Sequence, residues 1–186
     1  GNDNTVVGQT AAYTLTTGTN NVAIGRAALY SSSTGAENVA IGRHAGFSCT
    51  SNQNVFIGGN GCGDSVSTGG ECVFIGAFAG TSVTTGSGNV LIGPSADGTS
   101  TGSNNTNVGK DTGGSIGSGT NNLCLGYQAN VTSSGQTNQV ILGNSSIQYL
   151  RCATSTINTY SDGRDKKDIV DTSDGLGIIN ALKPRK

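Results

Sequence analysis

The chain has 186 residues, 31 of them glycine and two proline, with 33% apolar types, 11% charged types and a formal net charge of −1. Near-neutrality argues against charge-driven disorder, and the absence of glycine at every third position excludes a collagen helix. Ten Lys+Arg against 11 Asp+Glu leave no basic footprint for nucleic acid and no patch for an anionic membrane.

From residue 4 onwards the pattern Asn, apolar, variable, Ile/Val/Leu, Gly recurs along most of the chain. Its closing glycines are Gly8, Gly25, Gly42, Gly58, Gly76, Gly93, Gly109, Gly126 and Gly143, with successive separations of 17, 17, 16, 18, 17, 16, 17 and 17. Nine evenly spaced copies signal a repeat architecture. The first position holds Asn4, Asn21, Asn38, Asn54, Cys72, Asn89, Asn105, Asn122 and Gln139. β-Branched residues two apart share one face of a short strand, and the glycine permits a bend. A small residue follows three positions later (Ala11, Ala28, Ala45), and a Thr-Gly turn about ten later (Thr17-Gly18, Thr34-Gly35, Thr85-Gly86). Each repeat thus reads as one coil of a β-solenoid, about nine 17-residue coils over residues 1–147. At about 4.8 Å per coil, the column is roughly 40 Å long. The period is rigid because each coil pairs with the next through its backbone, and identical asparagines can form an amide ladder.

The intervening strand position holds Val6, Ala23, Ala40, Phe56, Phe74, Leu91, Asn107, Cys124 and Ile141. With the Val/Ile pairs such as Val22 and Ile24 expected to face inwards, these residues face out, and a strand apolar on both faces needs cover on both. A second copy of the chain is the expected source. Phe56, Phe74, Leu91 and Ile141 are therefore the expected interface residues of a side-by-side homo-oligomer.

N-V-A-I-G, at Asn21–Gly25 and again at Asn38–Gly42, resembles the repeat of trimeric autotransporter adhesin heads and of related segments in phage tail fibres. The resemblance implies a left-handed parallel β-roll associated as a homotrimer. The period is a little longer than that of the bacterial heads and favours the viral relatives, a structural and host-attachment segment of a virion fibre. A bacterial adhesin head binding host matrix or glycans is the alternative.

Five cysteines, Cys49, Cys62, Cys72, Cys124 and Cys152, form no C-x-x-C pair and read as small apolar fillers, with a Cys62–Cys72 staple possible on spacing. His44 is the only histidine, so neither a metal centre nor a Ser-His-Asp site can be assembled, and no cofactor is expected. Gly58–Asp64 has a calcium-repeat flavour, but it occurs once where stacked calcium sites need several. Tyr13, Tyr30, Phe47, Phe78 and Tyr127 read as packing or interface aromatics rather than a carbohydrate platform. Thr residues concentrate in turns of varying length, against an ice-binding face.

Residues 1–150 carry nine of the 21 charges and the last 36 residues carry twelve, which places a boundary near 150. Residues 148–160 read as an irregular neck. No apolar run approaches the ~18 residues of a membrane-spanning helix, and the chain, beginning at Gly1 without Met, reads as a fragment of something longer. Ser161–Ile169 (S-D-G-R-D-K-K-D-I), followed by Gly175–Pro184 (G-L-G-I-I-N-A-L-K-P), resembles the opening of the C-terminal intramolecular chaperone of phage endosialidases and tail fibres. The resemblance implies trimer assembly followed by self-cleavage, with Ser161 as nucleophile, Asp162 after the scissile bond and Lys166 as general base. A serine hydroxyl does need such an activating base. Gly163 and Asp165 depart from that pattern, and residues 161–186 are too few to support a core alone, so the chain is expected not to be an enzyme. Ser173 as N-cap, Leu176, Ile179 and Leu182 on one face, and Pro184 as stop predict a short helix.

Overall fold

A computed structural model describes residues 1–151. The expected neck beyond Arg151, the short helix, and Ser161, Asp162 and Lys166 lie outside the described residues. Gly1–Gln148 form one compact unit containing nine three-residue strands: β1 (Thr5–Val7), β2 (Val22–Ile24), β3 (Val39–Ile41), β4 (Val55–Ile57), β5 (Val73–Ile75), β6 (Val90–Ile92), β7 (Thr106–Val108), β8 (Leu123–Leu125) and β9 (Val140–Leu142). All pair in parallel, in chain order, in one nine-stranded sheet. Parallel strands need a crossover between them. Here the rest of each repeat carries the chain around and back, one layer further along, so the nine strands delimit eight turns of a β-solenoid. No helix occurs among the described residues.

Register is exact through the irregular repeats. Ile41 pairs with Ile57 across a 16-residue step, and Val55 with Val73 across an 18-residue step, so the length differences are absorbed in the turns. A second set of rungs crosses the far side of each coil, with Ala12 N donating to Ala28 O (2.8 Å), Leu29 N to Ala45 O (3.0 Å) and Gly63 N to Ala79 O (2.9 Å). Corner residues supply the bends: those two positions before each strand, such as Asn20, Glu37 and Glu71, hold φ of 59°, in the left-handed region that costs a non-glycine residue about 1 kcal/mol. Repetition of that cost from coil to coil shows that the stacking determines the corner.

The closing glycine is obligatory for a different reason. At Gly76, φ is +140°, and a Cβ would lie 2.5 Å from the carbonyl oxygen of Gly93 in the next coil. Equivalent glycines meet one another in the same way along the column, because two backbones approach there to within hydrogen-bonding distance.

The asparagine column, buried from Asn21 to Asn122, forms a ladder. Each Oδ1 accepts the backbone N–H of its counterpart one coil on: Asn21 N to Asn4 Oδ1 (2.9 Å), Asn38 N to Asn21 Oδ1 (2.9 Å), Asn54 N to Asn38 Oδ1 (3.0 Å) and Asn122 N to Asn105 Oδ1 (3.0 Å). Each Nδ2 donates to a turn carbonyl, as from Asn21 to Gly35 (2.8 Å) and from Asn89 to Gly102 (2.8 Å). Every asparagine thus ties the strand start to the turn, which satisfies groups that would be costly to bury unpaired. Cys72 interrupts the ladder. Its N–H still reaches Asn54 Oδ1 (3.0 Å), but its thiol makes a weak 3.4 Å contact with Gly86 O where an amide would donate. Cys72→Asn is expected to complete the ladder and stabilise the protein by about 1 kcal/mol, raising Tm by roughly 2–4 °C. Thermal unfolding of the two proteins checks this.

The ladder also determines which way the strands face, and it corrects the sequence expectation. Asn21, Ala23 and Gly25 have the same parity along the strand, so a buried Asn21 sends Ala23 inwards and Val22 and Ile24 outwards. Phe56, Phe74 and Leu91, expected at an interface, are completely buried inside the protomer. They pack with Leu29, Val66, Val83 and the Ala28, Ala45 and Ala79 column in one core. Ile141, half-buried, packs on a second cluster of Ile116, Cys124, Ala129 and Val131. Between the clusters lies Asn107, which fills the strand-centre position with an amide whose Oδ1 has no partner. The interior accommodates its two phenylalanines by subtraction elsewhere. A Cβ on Gly46 or Gly63 would come within 2.6 Å or 2.4 Å of the Phe56 ring, and one on Gly80 within 2.3 Å of the Phe74 ring. At the equivalent position of an earlier coil, where the strand centre is Ala23, the chain carries Leu29 instead.

Candidate functional site: the outer face of the sheet

With the strand centres turned inwards, the flanking residues form the outer face. Two parallel rows run along the sheet from β2 to β8, one from Val22 through Val39, Val55, Val73, Val90 and the polar Thr106 to Leu123, the other from Ile24 through Ile41, Ile57, Ile75, Ile92 and Val108 to Leu125. All are half-buried or exposed: Ile24 is 36%, Ile57 37% and Leu125 36% accessible, rising to 68% at Val140. β-Branched residues at each rung suit a pleated surface. An apolar stripe of this kind, broken at Thr106, is what soluble monomers rarely expose.

The stripe is bounded by two further rows. Two residues before the strands stand Asp3, Glu37 and Glu71, alternating with amides such as Gln53, whose Nε2 donates to Glu37 (3.0 Å). Two residues after the strands stand Arg26, Arg43 and Lys110, all exposed. Arg26 reaches His44 Nε2 at 3.5 Å, and Arg43 donates to Asn60 Oδ1. The only ion pair among the described residues joins Lys110 to its neighbour Asp111 at 3.8 Å.

Beside the basic row, Tyr13, Tyr30 and Phe47 stack on successive coils, with centroids 5.2 and 4.9 Å apart and rings within 9° of parallel. Tyr30 and Phe47 are half-buried in the stack, and Tyr13 at its end is 67% exposed. These aromatics are a packing ladder. Tyr127 lies under the Lys110 ammonium at 5.9 Å.

Charged side chains are few among the described residues. No group of three His, Cys, Asp or Glu residues could hold a metal there, and His44 meets an arginine and the Phe47 ring rather than a second ligand. An open groove of about 450 Å³ follows the turns past Thr50, Ser67 and Glu71. Two of its hydroxyls are engaged in bonds between coils, Thr50 Oγ1 to Ser67 O (2.7 Å) and Ser67 Oγ to Thr84 O (3.0 Å).

Cys49, Cys62, Cys72 and Cys124 are free and buried, so the Cys62–Cys72 staple is not formed. Desolvation raises the pKa of all four, that of Cys62 to about 12. Buried thiols held protonated are poor nucleophiles. A thiol-specific reagent at about pH 8 is expected to leave these four unmodified in the folded protein and to label them all in denaturant, read by intact mass.

Comparison with protein-family models, curated proteins and solved structures found no match to this chain. The functional reading therefore rests on the geometry of the face and on the repeat.

Proposed function

We propose that the chain is a non-enzymatic structural segment of a fibre, in which copies of the β-solenoid associate side by side through the outer sheet face. The observation that carries this reading is the double row of Val, Ile and Leu side chains left open along the strands. The interior of the coil is already filled, and nothing among the described residues is left to cover the outer rows. The occupant must present apolar groups at the same spacing of roughly 4.8 Å over the same length, and another copy of this chain does so without any further requirement. A stack of backbone ladders shielded in this way is stiff and resists proteases, which suits a rod that carries contacts at a distance from a particle.

The finer reading follows the resemblance of the N-V-A-I-G repeats: a left-handed β-roll, three copies, in the fibre of a virus such as a phage, with attachment to a host-surface receptor or glycan. The resemblance of Ser161–Ile169 adds a self-releasing chaperone downstream, with cleavage between Ser161 and Asp162 assisted by Lys166 when the full domain is present. A mass cut after Ser161 in the longer gene product is the expected signature of that step.

Sedimentation equilibrium tests the central claim. The wild type is expected to sediment as an oligomer. Ile57→Lys with Ile75→Lys, which places two ammonium groups on the outer rows, is expected to sediment as a folded monomer with an unchanged circular-dichroism spectrum. A wild type that stays monomeric across the accessible concentration range sinks the proposal.

A further inference from the structure

The charge on the outer face is sorted, and this sorting bears on how two copies can meet. The row before the strands holds three carboxylates, Asp3, Glu37 and Glu71, and no cation, while the row after them holds three cations, Arg26, Arg43 and Lys110, and no carboxylate. Only nine of the first 150 residues are charged, and six of those nine lie in these two rows. Stacking forces Arg26 and Arg43 onto neighbouring coils, where they repel each other. Neither has a carboxylate within ion-pair distance among the described residues, since the sole ion pair there is Lys110–Asp111. Asp3, Glu37 and Glu71 likewise have no cation within ion-pair distance among the described residues.

We infer that the two rows act as an orientation device: copies of the chain pack with their columns parallel and in register, the acidic row of one against the basic row of the next. This inference rests on the self-association proposed above and adds its direction. Relating two facing copies by rotation about an axis along the column sets unlike rows against each other, whatever the number of copies in the ring. Turning one copy end for end sets acid against acid and base against base. The apolar rows discriminate poorly, because five successive rungs, β2 to β6, repeat the same Val and Ile pair in either direction. In the parallel, in-register arrangement Glu37 and the partner's Arg43 fall at one level, both belonging to the β3 coil. Arg26, on the β2 coil, falls between the levels of the partner's Asp3 and Glu37. Like charges opposed across an interface are strongly disfavoured, so sorted charge selects direction even where each pair adds little affinity.

Removing the acidic charge gives opposite signs for the two arrangements. In Asp3→Asn/Glu37→Gln/Glu71→Gln, all three sites are exposed, and folding is verified by an unchanged urea midpoint. Parallel packing loses attractions, and the dissociation constant from sedimentation is expected to rise roughly three- to tenfold. Added salt is expected to weaken the wild type and to leave the variant nearly unaffected. Antiparallel packing would lose repulsions, so a variant that associates more tightly overturns the inference, and so does one with unchanged affinity. A wild type that is monomeric throughout fails at the earlier step, the self-association itself.

Discussion

Gly76→Ala is expected to destabilise the solenoid by about 3–5 kcal/mol, enough to bring a domain of ordinary stability close to unfolding. Two costs add. The residue holds φ of +140°, a conformation an L side chain rarely adopts, and its new Cβ would lie 2.5 Å from Gly93 O and 2.6 Å from Gly93 C. Those atoms are backbone and cannot rotate away, so the two coils must separate. Separation removes neighbouring rungs, among them Gly93 N to Ile75 O (2.7 Å). Gly76 follows β5, the fifth of nine strands, so the lesion divides the column instead of fraying an end. Urea unfolding followed by circular dichroism measures the loss. A midpoint within a few tenths of a molar of wild type would show that the coils tolerate a side chain between them.

Phe56→Ala is expected to cost about 3–5 kcal/mol of protomer stability. The ring is fully buried, lies 5.5 Å from the ring of Phe74 at a tilt of 48°, and is held between Gly46 and Gly63. Its removal leaves a void that neighbouring coils cannot close, because their rungs fix the spacing. The variant also separates two locations for the same side chain. If Phe56 lined an interface, its truncation would weaken association and leave a dilute protomer as stable as before. As a core residue, it lowers the unfolding midpoint at every protein concentration, and denaturation at two concentrations tenfold apart distinguishes the outcomes.

Much of this architecture is legible in the chain because it depends on local chemistry that repeats. The closing glycines, Gly8 to Gly143, mark the ends of the strands, since a bend against a neighbouring backbone admits no side chain. The asparagines from Asn4 to Asn122 announce a ladder, since a polar residue repeated at one position of every coil can be paired by its own neighbours. The apolar character of both strand faces is equally plain, and the proposal of outside cover starts from it. The cation and carboxylate rows are visible as well, once strand ends are known, at two residues beyond Ile24 and Ile41 and two before Val39 and Val73.

Which face turns inwards was not readable from pattern alone. With Val22 and Ile24 on one side and Ala23 on the other, both assignments bury apolar groups, and a shift of one residue exchanges them. A usable signal was present in Asn21: a buried amide fixes the parity of everything that follows it, and Gly46, Gly63 and Gly80 stand opposite the largest strand-centre residues. From its sequence, then, this protein is a parallel β-solenoid of 17-residue coils with apolar strands, because period and residue type suffice to specify stacking. The tertiary structure alone decided that the phenylalanines form the core and the valines and isoleucines the outer face. The interior of so narrow a coil closes only when each asparagine reaches both the next strand and its turn, and that closure is a three-dimensional condition no linear pattern states.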